Sequence, residues 1–175
     1  MLLLGIDLGT SSVKVAVLDA ATGACLATAQ NPDAENPIIS QQPGWAEQSP
    51  DSWWEQVQLA IRRVIQQGGF DPLAIGAIGI AYQMHGLVCI DHDGKVLRNS
   101  IIWCDSRAVP YGERAYEKLG GQKVLPQLLN SPGNFTAAKL AWVKEQEPDC
   151  YRKIRHILWP GDFIAFRLTG NVTTT

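Results

Sequence analysis

Two apolar, β-rich runs stand at the head of the chain, over residues 2–8 and 13–19, and a third covers 25–30. They predict three strands, the last two joined by a hairpin turn at Asp19-Ala-Ala-Thr-Gly23. Residues 31–50 break the pattern. Rich in Pro, Asn and Gln and without periodicity, they predict a long surface loop. Ser49-Pro50-Asp51 then opens a helix, with Ser49 or Asp51 as its cap and Pro50 tolerated in the first turn. Trp54, Val57, Ala60, Ile61, Val64 and Ile65 give that helix an apolar stripe at helical spacing, and Gly68-Gly69 ends it.

Further along, the small and β-branched run from Ala74 to Ala81 predicts a buried strand, which runs into the polar turn Tyr82-Gln83-Met84-His85-Gly86. Residues 87–91 and 95–97 predict a second hairpin about His92-Asp93-Gly94, and 101–103 a short strand before Cys104-Asp105-Ser106-Arg107. Helices are expected over 110–119 and 137–145, the first stopped by Gly120-Gly121 and the second by Pro148. A strand over 154–159, a turn at Pro160-Gly161-Asp162, a helical stretch over 162–168 and the start of a new strand at 171–175 complete the pattern. No internal repeat or low-complexity segment occurs. Three early strands, a helix, a strand and a mixed helical stretch imply an α/β layer with a mixed central sheet flanked by helices, its ligand end at the strand termini.

At 175 residues and 46% hydrophobic content the chain can bury one sizeable core. Fifteen Lys and Arg against 17 Asp and Glu leave −2, with no block of like charge, so nothing points to nucleic acid or an anionic membrane. Cys25, Cys89, Cys104 and Cys150 lie far apart, with no CxxC spacing or Cys/His cluster. Reduced thiols in the cytoplasm fit them better than a disulfide framework or a zinc site. No signal sequence and no transmembrane run is expected.

The chemistry concentrates in Gly5-Ile-Asp-Leu-Gly-Thr-Ser-Ser-Val-Lys14. A strand delivers the carboxylate of Asp7 into a turn built from Gly9 and small hydroxyl residues. Such a turn suits a hydrated cation and a chain of phosphates, because backbone amides beside a glycine can approach closely. A hairpin whose Asp and Gly only shape the turn is the competing reading. Walker-A, GxGxxG and Gly-x-Ser-x-Gly sequences are all lacking. Two further polar strand ends remain, Gln83-Met84-His85 and Asp105-Ser106-Arg107. Taken singly, a lone His is usually structural, Asp105-x-Arg107 usually a local ion pair, and Lys139 an ordinary helix-surface lysine. Trp103 precedes the second polar turn, where an indole can pack on the C–H face of a sugar.

In this order the segments resemble the FGGY family of carbohydrate kinases, and within it the branch acting on D-xylulose. Gly5–Lys14 resembles the first phosphate-binding motif of the ribonuclease H-like superfamily of sugar kinases, Hsp70 and actin. Trp45-Ala-Glu-Gln-Ser-Pro with Trp53-Trp54 resembles the family's loop-to-helix entry, and Gln83-Met84-His85-Gly86 its sugar-contacting turn. Trp103-Cys-Asp-Ser-Arg107, Thr136-Ala-Ala-Lys-Leu-Ala-Trp142, and Pro160-Gly-Asp-Phe with Leu168-Thr-Gly170 resemble three further family segments.

The resemblance implies phosphoryl transfer from ATP to a hydroxyl of a small-molecule ketopentose, D-xylulose first. Asp7 would organise Mg²⁺. Gly9, Thr10, Ser11 and Ser12 would face the ATP phosphates, with Lys14 adding positive charge. Met84 and His85 would hold the sugar, with Gln83, Trp103, Asp105 and Asn134 lining the same pocket. The family's catalytic Asp and its adenosine-binding domain lie beyond residue 175. Residues 1–175 are therefore expected to be the N-terminal sugar-binding and phosphate-motif domain of a longer cytoplasmic kinase, inactive alone. No residue pattern fixes the oligomeric state; a homodimer is the expectation for the full-length protein. Three alternatives stay open: a kinase for gluconate, ribulose or glycerol, a non-catalytic sugar- or ATP-binding module, and an actin/Hsp70-like ATPase.

Overall fold

The computed structural model describes residues 1–174, and the head of the chain forms the meander that its pattern predicts. Strands β1 (Leu2–Leu8), β2 (Val13–Asp19) and β3 (Cys25–Asn31) pair antiparallel in sequence order. Two strand residues, β4 (Glu47–Gln48), interrupt the stretch expected to be loop, and helix α1 (Pro50–Gln67) follows. Its first residue is Pro50, which puts Ser49 at the N-cap position and Asp51 inside the first turn. Gly68 adopts φ 72° and its N–H donates to the Ile65 carbonyl, closing the helix as the glycine pair predicts. Strand β5 (Ile75–Tyr82) then returns parallel to β1, giving a mixed sheet of order β3-β2-β1-β5.

The chain divides into two compact units. The first comprises Met1–Pro37, Asp51–Gln83 and Ile164–Thr173; the second comprises Ile38–Pro50, Met84–Phe163 and Thr174.

In the first unit the pleat sorts the side chains. Leu4, Ile6 and Leu8 lie opposite Val17, Val15 and Val13, so one face carries six buried aliphatics. Each such side chain stabilises the fold by about 1.5–3 kcal/mol relative to exposure. Helix α1 buries Trp53, Val57, Ala60 and Val64, spaced four, three and four residues apart. The stripe is therefore centred on Trp53 rather than Trp54, and Ile65 is exposed. Arg167 explains the shift at position 54: it pairs with Asp51 and lies over the Trp54 ring. The opposite face of the sheet carries Gly5, Asp7, Lys14, Ala16, Gly79 and Ala81, which line a shallow cavity of ≈ 720 Å³.

The second unit contains β6 (Val88–Ile90), β7 (Ser100–Ile101), α2 (Val109–Leu119), α3 (Gly121–Leu128), α4 (Thr136–Gln146), α5 (Pro148–Tyr151) and β8 (His156–Leu158). Two short antiparallel ladders, β4 with β7 and β6 with β8, order the strands here, and β6 also forms the hairpin expected over 87–97. Asp91 accepts from the N–H groups of Asp93 and Lys95 and makes the predicted turn. Beyond it, Val96 bridges antiparallel to Ile90, the Asp91 N–H donates to the Lys95 carbonyl at 3.0 Å and the Leu97 N–H to the Cys89 carbonyl at 3.0 Å, so the hairpin uses one edge of β6 while β8 takes the other. Helix α6 (Pro160–Thr169) starts where a turn is expected. Pro160 occupies its first position, and Asp162 reaches back to accept from the Trp159 N–H, so the tripeptide is a helix start. Residues 171–174 form no strand, and Thr175, the remainder of that expectation, lies outside the described residues.

The core of the second unit is Leu87, Cys89, Ile101, Ala108, Ala138, Trp142 and Val143. Its four helices include α3 and α5, which no sequence pattern announces. Among the described residues no helix is long and apolar enough to cross a membrane. All four cysteines are free thiols.

Candidate functional site

The β1–β2 turn is closed by the Gly9 N–H, which donates to the Ser12 carbonyl at 3.1 Å. A Cβ on residue 9 would sit 2.9 Å from that same oxygen, so glycine is required there by close approach rather than by an unusual φ. Asp7 is exposed and makes no hydrogen bond or ion pair with any described residue. Its cross-strand neighbour is Lys14, likewise exposed, and the two form no ion pair. An unengaged carboxylate and an unengaged ammonium thus stand side by side on a glycine- and alanine-floored face. Ser11 is exposed, whereas Ser12 is buried, so the three hydroxyls of the turn are not equivalent.

Thr10 is tied to the end of β5: its Oγ1 donates to the Gln83 Oε1 at 3.2 Å. The Gln83 N–H in turn donates to the Leu8 carbonyl at 2.9 Å, extending the parallel ladder by one residue. Gln83, expected on the sugar side, is thereby joined to the hydroxyl turn within the first unit.

In the second unit Met84 is 62% exposed and His85 follows in the left-handed region, φ 58°. A non-glycine residue there stores strain and persists only where its surroundings hold it. Three contacts do so. The His85 ring stacks on Phe135 with centroids 4.7 Å apart and planes 25° from parallel. Gly86 packs so closely that a Cβ would lie 2.6 Å from Cγ of Pro160. The Nζ of Lys139 donates to the His85 carbonyl at 2.7 Å. The same ammonium donates to the Asn134 carbonyl at 2.8 Å, so Lys139 joins two residues expected to line one pocket.

Lys139 is not the surface lysine that its residue type suggests; it is 0% exposed. Burial pushes its pKa down to about 8, opposed by the charges of Asp105 and Cys104. Burial also lowers the pKa of His85, and the Lys139 charge lowers it further. The imidazole is neutral at pH 7, and its ring nitrogens have no partner among the described residues. The Asn134 side chain is exposed, as is Trp103 at 46%.

Asp105 behaves differently. It is fully buried, with its oxygens committed to the Ala46 N–H and to the backbone N–H, Nε and Nη2 of Arg107. Arg107 also donates to Glu47 at 2.6 Å, and its guanidinium lies 3.8 Å from the Trp45 ring centroid and 4.9 Å from that of Trp142. Arg98 bridges Glu47 to Glu147. The local Asp-x-Arg pair is thus real, but it is the centre of a buried network, and Asp105 has no oxygen presented to a ligand. No sequence signal separates these roles, since the network partners come from four different segments.

The family model for the N-terminal domain of the FGGY family of carbohydrate kinases matches residues 2–175. A xylulose kinase from Bacillus subtilis is 36% identical over 171 residues, covering 98% of this chain and 34% of the relative. A crystal structure from Brucella ovis, described as a "xyloylose kinase", is 34% identical, superposes with a TM-score of 0.87, and covers 97% of this chain and 34% of that one. A gluconate kinase structure from Lactobacillus acidophilus is 26% identical with a TM-score of 0.84, again covering 98% of this chain and 34% of the other. The chain therefore spans about a third of the length of the curated relatives it matches. These neighbours share the fold of the sugar kinase, Hsp70 and actin superfamily, in agreement with the α/β mixed sheet.

Proposed function

The chain belongs to the FGGY family of carbohydrate kinases, and from that premise we propose that the protein carrying it transfers a phosphoryl group from ATP to a hydroxyl of a ketopentose, D-xylulose. The observation that carries the reading is the state of Asp7: a carboxylate delivered by a strand into a glycine–hydroxyl turn and left unengaged. A carboxylate serving only to shape a hairpin accepts from the turn's own amides, and Asp7 does not. The names of the relatives supply the sugar, and the neutral, unpartnered His85 imidazole supplies a directional donor and acceptor for its hydroxyls.

The Asp7 turn fits a hydrated Mg²⁺ by its hard oxygen donors, with Asp7 as the protein ligand and the Thr10 and Ser11 hydroxyls beside it. The metal supplies charge neutralisation for the transferred phosphoryl group. Lys14 adds a second positive charge on the same face, and the amides about Gly9 approach phosphate oxygens without a side chain in the way. In the second unit the fixed turn at Met84 and His85 orients the sugar, and the exposed Trp103 offers an apolar face. Positioning of this kind accounts for most of a phosphoryl-transfer rate. The base that accepts the hydroxyl proton, and the adenosine site, we assign to a C-terminal domain beyond these residues.

The test is sugar-dependent ADP release by the full-length protein. Asp7→Asn is expected to lower kcat by on the order of 10³-fold, as loss of a metal and phosphate organiser does, with an unchanged circular dichroism spectrum. The isolated 175-residue chain is expected to release no ADP. Turnover of gluconate in preference to D-xylulose would move the substrate to the alternative that the Lactobacillus acidophilus structure raises. Full-length protein that phosphorylated no ketose, polyol or sugar acid would overturn the reading.

A further inference from the structure

We propose that Lys139 is a positioning residue for sugar recognition, holding His85 in its left-handed conformation and binding that turn to the Asn134 segment. The proposal rests on the kinase reading above and deepens it.

A buried ammonium ordinarily finds a carboxylate, because a charge removed from water without a counter-charge is expensive. Lys139 does not. Both of its hydrogen bonds go to main-chain carbonyls, those of His85 and Asn134. The carboxylate whose charge acts on Lys139, Asp105, is fully buried and already committed to Arg107 and the Ala46 N–H. Stability of α4 does not call for this arrangement either. An apolar residue at position 139, among Ala138, Trp142 and Val143, would leave no charge to desolvate. The two carbonyls are what the lysine serves.

Their positions give the reason. His85 is the residue of this turn whose backbone is strained, and its carbonyl is the group that Lys139 grips. In the left-handed region the side chain leaves the backbone in a direction that neither a strand nor a helix provides. Release of the carbonyl lets the peptide return to an extended conformation and swings the imidazole away. The second carbonyl belongs to Asn134, next to Phe135, the ring against which His85 stacks. One ammonium therefore fixes the imidazole twice, through its own backbone and through the residue that supports its ring. The groups that feel this charge are His85, Asp105 and Cys104. A residue acting so alters where the sugar-binding imidazole points, without touching the phosphates.

The experiment uses the full-length kinase carrying Lys139→Met, which keeps the length of the side chain and removes its donors. The KM for D-xylulose is expected to rise about tenfold or more, the scale of one or two charge-assisted hydrogen bonds. The kcat at saturating sugar should stay within about threefold and the KM for ATP should not move, the split expected when binding alone is lost. In the same variant the His85 imidazole, followed by NMR of labelled histidine, should titrate at higher pH because its neighbouring cation is gone. A sugar KM unchanged in folded variant protein, or kcat and both KM values changing together, overturns the assignment.

Should Lys139→Met fail to fold, the unaltered enzyme decides. NMR of ¹³Cε-labelled lysine should show one lysine titrating near pH 8 whose signal moves on saturation with D-xylulose and not with an ATP analogue. A signal indifferent to sugar, in an enzyme that does turn the sugar over, removes the Lys139 role alone. Absence of both turnover and sugar-induced shift removes the functional reading, and the sugar role with it.

Discussion

A lysine in the middle of a helix usually meets water, and Lys139 meets two carbonyls instead. The consequence for stability has a definite sign. Its folded pKa of about 8 lies below the ordinary 10.5, so between those values the unfolded chain holds a proton that the native chain lacks. Stability therefore rises with pH across that window. The burial charged at pH 7 costs on the order of 3 kcal/mol. Urea unfolding at pH 7 and at pH 10 is expected to show this gain in the unaltered chain, and Lys139→Met should abolish it. His85 has the opposite use of the same physics. Its pKa is held below the usual imidazole value, so the ring keeps one donor and one acceptor through neutral pH. Sugar KM should be flat above pH 6.5 and rise only as the ring protonates at lower pH. The place of His85 in a polar turn beside Gly86 was legible in the sequence. That of Lys139 was not, because its partner carbonyl lies 54 positions away and only the fold brings them together.

Elements were legible where one local signal dominated. The first three strands and α1 follow from apolar runs, a Ser-Pro start and a Gly-Gly stop, all of which act within a few residues. Helix α3 was hidden by its own composition: it begins at Gly121 and carries Pro126 in its interior, both unfavourable to a helix. The start of α6 is ambiguous in the sequence for a related reason, since Pro-Gly-Asp suits a turn and a helix N-terminus equally. Packing between elements is sharpest at α2, where Gly112 lies against the Pro132–Gly133 backbone and a Cβ would overlap it. Backbone cannot yield as a side chain can. Gly112→Ala is expected to cost about 1–3 kcal/mol in denaturant unfolding, whereas Gly23→Ala, with open space around its Cβ, should report only the strain of its positive φ.

At the scale of the molecule, each unit carries its own core, and they are built on different principles. The first relies on a sheet face and one amphipathic helix. The second, with short ladders, is organised around Arg107, Arg98, Glu47, Asp105 and Glu147, buried among Trp45 and Trp142. Removing one partner from such a network leaves an uncompensated charge. Arg107→Met is expected to destabilise the fold by about 3–5 kcal/mol, read as a fall in the urea midpoint. Charge balance, free thiols and the α/β order could be read from the sequence. The division into units could not, because the first is assembled from three separated stretches of chain. That discontinuity has a consequence for biosynthesis. Ala165, Leu168 and Thr169 share a groove with Ile75, Ala77, Ile78 and Ile80 of β5, yet the ribosome makes β5 long before α6. At ~5–20 residues per second the intervening stretch takes roughly 4–16 seconds to translate. β5 remains the edge strand of its sheet after α6 is made, so what the nascent chain lacks for that interval is the groove wall of Ala165, Leu168 and Thr169, and it is at the apolar residues of β5 that a chaperone would hold it.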